Sequence, residues 1–219
     1  MVNVVAGVLV MTAAVFGASA GTKLRGPSAF RRFRAAIAAT GLVPRFALPW
    51  VTAALAVTEA GAAAGLVVAA ALVDSPASTV PASAGVLVAQ AALAVAAVLT
   101  AMLITGVAVV IHRGVAARCA CFGAASGQPL GTTHLVRNIV LMALLLAGLA
   151  ASPFASHAAP TGAGAAAVTA LLTAIVGGTV ALVLIRWEDL AALVLPMPVP
   201  WPAQQAGAEP SIGPGRAER

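Results

Sequence analysis

Two cysteines separated by one residue are the side chains of this sequence best suited to chemistry. Cys119 and Cys121 are the only cysteines among 219 residues, and Arg118 directly precedes them. A neighbouring cation favours the thiolate, the form of cysteine that attacks a disulfide. If the chain bends enough to join them, so short a bridge is strained and easily reduced. The pair therefore favours a redox couple over a structural cross-link.

Three other roles stay open for the two cysteines. With His112 and His134 they would make a tetrahedral metal site, but the spacing is not a standard zinc pattern, and we predict no metal. Cysteines beside a membrane helix can also be palmitoylated. Finally, an unreactive cysteine packs as a small hydrophobic side chain.

Glu59 is a second candidate, because it lies near the middle of a long apolar stretch. A charge at the centre of a membrane helix costs about 2.5–3.5 kcal/mol on insertion scales. We therefore expect Glu59 to face the bundle interior, protonated or hydrogen-bonded. Helical rise places Gln90 of the next stretch at a similar depth, as a candidate partner. Glu59 would be a proton site or ligand contact, or a neutral lock between helices.

The composition excludes an ordinary soluble enzyme. Apolar residues make up 61% of the chain and charged residues 8%, whereas soluble domains are about 25% charged. The mean hydropathy is +1.04. Although the formal charge is +6, the cations are too few for a nucleic-acid groove. We expect an integral membrane protein in contact with lipid, with no nucleic-acid partner.

Five apolar stretches have the length of about 20 residues that a bilayer requires. Since backbone groups in lipid must be hydrogen-bonded internally, each stretch should be an α-helix. The predicted fold is all-α, a polytopic membrane helix bundle. The predicted spans are Val2–Gly21, Ala47–Val73, Ser83–Ile111, Leu135–Ala151 and Gly162–Ile185.

The cations predict the orientation of the bundle. None lies between the second and third spans or between the fourth and fifth. The positive-inside rule then gives an outer N-terminus and a cytoplasmic C-terminus in the cell membrane. A cleaved signal peptide is the rival for the first span, but no basic residue precedes its apolar run. The cations are Lys23, Arg25, Arg31, Arg32, Arg34, Arg45, Arg113, Arg118, Arg137, Arg186, Arg216 and Arg219.

The first basic segment predicts a short amphipathic helix. Ser28 would cap it, with Pro27 before the cap, and Gly41 would end it. Such a helix would lie among anionic headgroups, or the segment would only fix the topology. The apolar side chains on one face of this helix are Phe30, Phe33 and Ile37.

Several of these motifs, in this order, resemble the MauE/DoxX-like family of redox-associated membrane proteins. The run Lys-Leu-Arg-Gly-Pro-Ser-Ala-Phe follows the first span, and Glu59 lies inside the second. The cysteines continue as Cys-Ala-Cys-Phe-Gly, with Phe122 and Gly123, before an Arg-Asn pair and an apolar helix. The similarity covers roughly residues 1–150. The Arg-Asn pair is Arg137 and Asn138.

The resemblance implies a four-helix membrane core and a role in thiol chemistry. The family's namesake supports methylamine utilisation by helping to mature, or form disulfides in, the small subunit of methylamine dehydrogenase. In the hypothesis that we favour, Cys119 and Cys121 would be the redox pair and Arg118 would tune the thiolate. Phe122, Gly123, Arg137 and Asn138 would support the loop, and Glu59 would be a proton site. The partner would be a thioredoxin-like protein or a client that needs disulfides. A quinone would be an alternative electron partner, and the sequence contains no motif that assigns a cofactor.

The expected organisation has three parts. Residues 1–151 form a MauE/DoxX-like four-helix domain, and 152–187 add an outer loop and a fifth transmembrane helix. Residues 188–219 form a Pro-rich cytoplasmic tail that is mostly disordered. The competing function is a non-catalytic membrane scaffold or assembly factor with structural cysteines. A transporter that uses Glu59 is less favoured, because the spans hold few other polar groups.

Overall fold

The computed structural model describes residues 2–74, 81–115, 131–153 and 163–194. Within these ranges the regular structure is helical, without strands, which confirms the predicted all-α class. The helices are α1 (Val2–Leu24), α2 (Pro27–Ala39), α3 (Leu48–Asp74), α4 (Ala82–His112), α5 (Thr132–Ala151), α6 (Ala163–Ile185) and α7 (Trp187–Val194).

Five of these helices are long and apolar enough to cross a membrane, namely α1, α3, α4, α5 and α6. Their positions match the predicted spans, so the predicted polytopic helix bundle is confirmed. Of the predicted tail, the structure describes only the part in α7, and residues 195–219 lie outside the described residues. The predicted disorder of the tail stays a prediction.

Helix α1 is the central element of the bundle. It packs against α3, α5 and α6, while α4 packs against α3 and α5. Its buried side chains include Val5, Leu9 and Phe16, which join Leu66 of α3 and Leu145 of α5 in one core. The outward faces of the other spanning helices carry exposed apolar side chains. Such faces suit contact with lipid, which is as apolar as the side chains themselves.

The fifth span is packed closely onto the central helix. A Cβ atom built on Gly177 of α6 would lie 2.8 Å from the backbone oxygen of Gly7 in α1. Small residues let membrane helices approach at this distance, and packing then holds them together. The helix that the resemblance left without a role is therefore an integral part of the bundle.

Replacing Gly177 with valine should separate α6 from α1. The added atoms meet backbone, which cannot move aside, so we expect destabilisation by about 1–3 kcal/mol. Thermal unfolding in detergent measures the effect. Gly178→Val is the matched control, because a Cβ at Gly178 meets nothing within 4 Å. Equal loss of stability in both variants would contradict the close contact between α1 and α6.

The short helix α2 begins two residues earlier than predicted. Its N-cap is Gly26, without a side-chain capping bond, and Pro27 is its first residue. The prediction of Ser28 as the cap is wrong, because proline has no N–H to satisfy and its fixed φ suits the first helical position. The predicted end is confirmed. Gly41 has φ 65° and its N–H donates to the Ala38 oxygen at 3.1 Å.

Candidate functional site

A buried ion pair joins α1 and α3 at one end of the bundle. The Lys23 ammonium of α1 contacts the Glu59 carboxylate of α3, and their side chains are only 1% and 4% exposed. The Ser19 hydroxyl donates to Glu59 Oε2 at 3.0 Å, and Lys23 Nζ lies 2.9 Å from Ser19 Oγ. The carboxylate oxygen thus receives two donors, which offsets part of the cost of its removal from water.

Helix geometry brings these three side chains together. Ser19 and Lys23 are four residues apart, so they lie on the same face of α1. Gly17 faces Ala63 while Ser19 faces Glu59, which shows that α1 and α3 run antiparallel. Lys23 lies in the last turn of α1, where a positive charge also interacts favourably with the helix dipole.

Helix α2 covers the ion pair from the end of the bundle. The Phe33 side chain is 4% exposed, and Lys23 Nζ lies 4.8 Å from its ring centroid. A cation over an aromatic face is stabilised by about 2 kcal/mol when it is desolvated. The predicted amphipathic helix therefore directs the centre of its apolar face at the protein.

Glu59 faces the interior as predicted, but its predicted contact with Gln90 is wrong. The structure places Lys23 and Ser19 on the carboxylate instead. Glu59 is about 22 Å from the end of α3 that leads towards α4, whereas Gln90 is about 12 Å into α4. The prediction assumed an apolar core about 30 Å thick. Since α3 has 27 residues, it is longer than that, and the two side chains are not level.

The first turns of α5 bring three more polar side chains into the same end of the bundle. His134, Arg137 and Asn138 are 2%, 5% and 5% exposed. With Ser19 and Glu59 they line a cavity of about 40 Å³ whose other walls are apolar. A polar cavity of this size can hold a water molecule or two. Chains of carboxylate and imidazole groups carry protons in other membrane proteins.

The structure brings together part of the predicted site. Glu59 and the Arg137-Asn138 pair, predicted from two separate motifs, line one cavity. The predicted redox pair Cys119 and Cys121 lies outside the described residues, as do the other three predicted loop residues Arg118, Phe122 and Gly123. Of the histidines considered as metal ligands, His112 is exposed and His134 is buried.

Lys23 is the member of the candidate site that the sequence interpretation missed. The sequence predicts that it lies in the basic loop, because it follows the predicted end of the first span. The structure extends α1 to Leu24 and buries the lysine. One signal was available: Lys23 is the only lysine among 12 cationic residues. A flexible stem and a compact charge set lysine apart from arginine.

A family model described as methylamine utilisation protein MauE matches residues 1–151. The chain belongs to the MauE family. The resemblance inferred from the motifs is therefore confirmed, and the chain is a multi-pass membrane protein of this family. The MauE region ends at the last residue of α5, so it excludes α6. It contains the whole buried polar cluster, which consists of Ser19, Lys23, Glu59, His134, Arg137 and Asn138. Neither a curated protein nor a solved structure matches the chain.

Breaking the buried ion pair should destabilise the MauE region strongly. We expect Lys23→Met or Glu59→Gln to cost about 3–5 kcal/mol, because each leaves polar or charged groups buried without their partner. The double variant should be closer to the wild type than the sum of the two losses. A double-mutant cycle of thermal unfolding in detergent measures this coupling.

The surface pair between Arg186 and Asp189 provides the matched control. Its atoms are 3.5 Å apart and both side chains are 67% exposed. Exposed pairs contribute about 0–1 kcal/mol, so Asp189→Asn should leave the unfolding temperature nearly unchanged. Additive losses for Lys23→Met and Glu59→Gln would contradict a direct interaction between the two buried groups.

Proposed function

We propose that this MauE-family membrane protein exchanges thiols and disulfides with a partner protein through Cys119 and Cys121. The observation that supports the proposal is the position of the buried polar cluster in the bundle. Glu59, Arg137 and Asn138 lie at the end of the bundle where α4 ends and α5 begins. The cysteines belong to the chain segment between those two helices.

Chain connectivity supports this arrangement. Val115 is the last described residue after α4, and Cys119 follows it by four residues. Four residues span at most about 14 Å, so the chain length allows the position near the end of α4 that we propose for Cys119. On the other side of the segment, Arg137 and Asn138 lie within the first two turns of α5. They are our proposed supports for the cysteine loop, with Phe122 and Gly123 inside it.

The proposed reaction is a two-electron exchange. A thiolate of a client dithiol attacks one sulfur of the Cys119–Cys121 disulfide and forms a mixed disulfide. The second client thiolate then attacks the client sulfur of that bond and releases both thiols of the pair. The client is oxidised to a disulfide, and its two electrons and two protons pass to the pair. A thioredoxin-like disulfide or a quinone would reoxidise the pair. Arg118 would favour the thiolate form.

Glu59 is the proton site in this proposal. Its carboxylate borders the cavity that also contains the side chains of His134 and Asn138. Water in that cavity would link Glu59 to the first turn of α5, which follows the cysteine segment. Lys23 and Ser19 would hold the carboxylate in place, so their part is positioning.

The family description names methylamine utilisation, which is the proposed biological setting, and the maturation of a client enzyme is our proposed role within it. The proposed orientation follows from the cations and puts the N-terminus outside and the cysteines at the cytoplasmic face of the cell membrane. Electrons or reducing equivalents would then be exchanged with a cytoplasmic partner. We propose residues 1–151 as the family domain, with 152–187 and the tail 188–219 as additions.

Cysteine replacement tests the proposal. In the reverse direction of this exchange the Cys119 thiolate attacks the client disulfide, and Cys121→Ser should trap the mixed disulfide that results, because the Cys121 thiol that would resolve it is lost. The expected result is an adduct on a non-reducing gel that disappears with reductant, and mass spectrometry identifies its partner. The Cys119→Ser, Cys121→Ser double variant is the control. It should form no adduct, lose client disulfide formation and keep normal abundance.

Labelling with a membrane-impermeant maleimide tests the wild type directly. We expect labelling from the cytoplasmic face of inverted vesicles, and only after reduction. Two thiols that label without reduction, together with no adduct from Cys121→Ser, would contradict the redox proposal. That result would favour the scaffold, in which the same membrane bundle binds a partner without chemistry.

A further inference from the structure

We propose that an arginine-rich surface at the end of the bundle binds anionic lipid headgroups. This basic surface consists of five exposed arginines on α2 and on the segments that flank it. The proposal does not depend on the redox function. The five arginines of the basic surface are Arg25, Arg31, Arg32, Arg34 and Arg45.

The basic surface carries a charge of one sign. No aspartate or glutamate occurs before Glu59 in the chain, and Glu59 is already paired with Lys23. The arginines of this surface therefore have no carboxylate close to them in sequence, and the nearest one that follows is neutralised within the bundle. Salt screens charges that are more than about 10 Å apart, so the arginines still attract an anionic surface that is in contact with them.

The packing of α2 against the bundle determines which way its arginines face. Phe33 holds α2 against the bundle through its contact with Lys23, and α2 packs against both α1 and α3. Because this anchor faces the protein, Arg31, Arg32 and Arg34 remain on the exposed part of the helix. The helix is thus fixed by the protein, and its attraction to lipid is electrostatic, without deep insertion of its apolar face.

Exposed aromatic side chains place the basic surface at the level of the headgroups. Phe46 follows Arg45 directly and is 82% exposed, and Trp50 in the first turn of α3 is 78% exposed. Aromatic side chains, tryptophan above all, concentrate where the apolar core of a membrane meets water. Arginines beside such an aromatic belt lie within reach of lipid phosphates, and clusters of cations next to a membrane helix select anionic lipids.

Trp50 can report which lipid lies next to the basic surface. The full chain carrying Trp187→Phe and Trp201→Phe keeps Trp50 as its only tryptophan. We would reconstitute it in vesicles that contain either brominated phosphatidylglycerol or brominated phosphatidylcholine at equal mole fraction. Bromine quenches tryptophan fluorescence on contact. The expected result is a several-fold preference for the anionic lipid, which decreases as salt is added.

Charge variants decide whether the arginines cause this preference. Replacing Arg31, Arg32 and Arg34 with glutamine should bring the ratio of quenching close to one. The same three positions changed to lysine keep the charge and should keep the preference. Arg186→Gln, an exposed position outside the basic surface, should have no effect. Equal quenching by both lipids in the parent protein would overturn the proposal, and would favour an acidic protein partner or a purely topological role. A preference for the anionic lipid that persists in the glutamine variant would also overturn the proposal.

Discussion

The contact between Lys23 and Glu59 is the interaction on which the arrangement of this bundle depends. Two opposite charges lie almost fully out of water, where each alone would be very costly. Their pairing requires α1 to continue beyond the apolar run, α3 to lie antiparallel beside it, and Ser19 to face the same carboxylate. Phe33 then covers the ammonium group. The ion pair thus ties two spanning helices and the surface helix α2 into one unit.

The two ends of the bundle differ in their chemistry, and the ion pair lies at only one of them. Towards the far end of α1, small residues such as Gly177 of α6 and Gly148 of α5 approach α1 closely. At the end that contains the ion pair, polar side chains from α1, α3 and α5 border one small cavity. Buried polar groups are expensive in a membrane and commonly mark function. Their position beside the ends of α4 and α5 is the reason for connecting the cluster with the cysteine segment.

Hydropathy was sufficient to predict the five spans and the all-α class, because a bilayer demands a minimum apolar length and internal backbone hydrogen bonds. The motifs were sufficient to identify the MauE family. The burial of Glu59 also followed from the cost of its charge. The identity of its partner, Lys23, did not follow from the sequence, because the contact depends on the register between α1 and α3 and on an extension of α1 to Leu24. A lysine just after an apolar run usually lies in water, so the position of Lys23 in the sequence does not predict its burial. The pairing of Cys119 with Cys121 stays a prediction.

Infrared difference spectroscopy tests the ion pair most directly. The spectrum of the wild type minus that of Glu59→Gln isolates the vibrations of this one carboxyl group. The account predicts the bands of an ionised carboxylate, and a shift of these bands when the same subtraction is made in the Lys23→Met background, because the ammonium donor is then absent. A protonated carbonyl band in the wild type would contradict the account, because Glu59 would then be a neutral group that needs no cation.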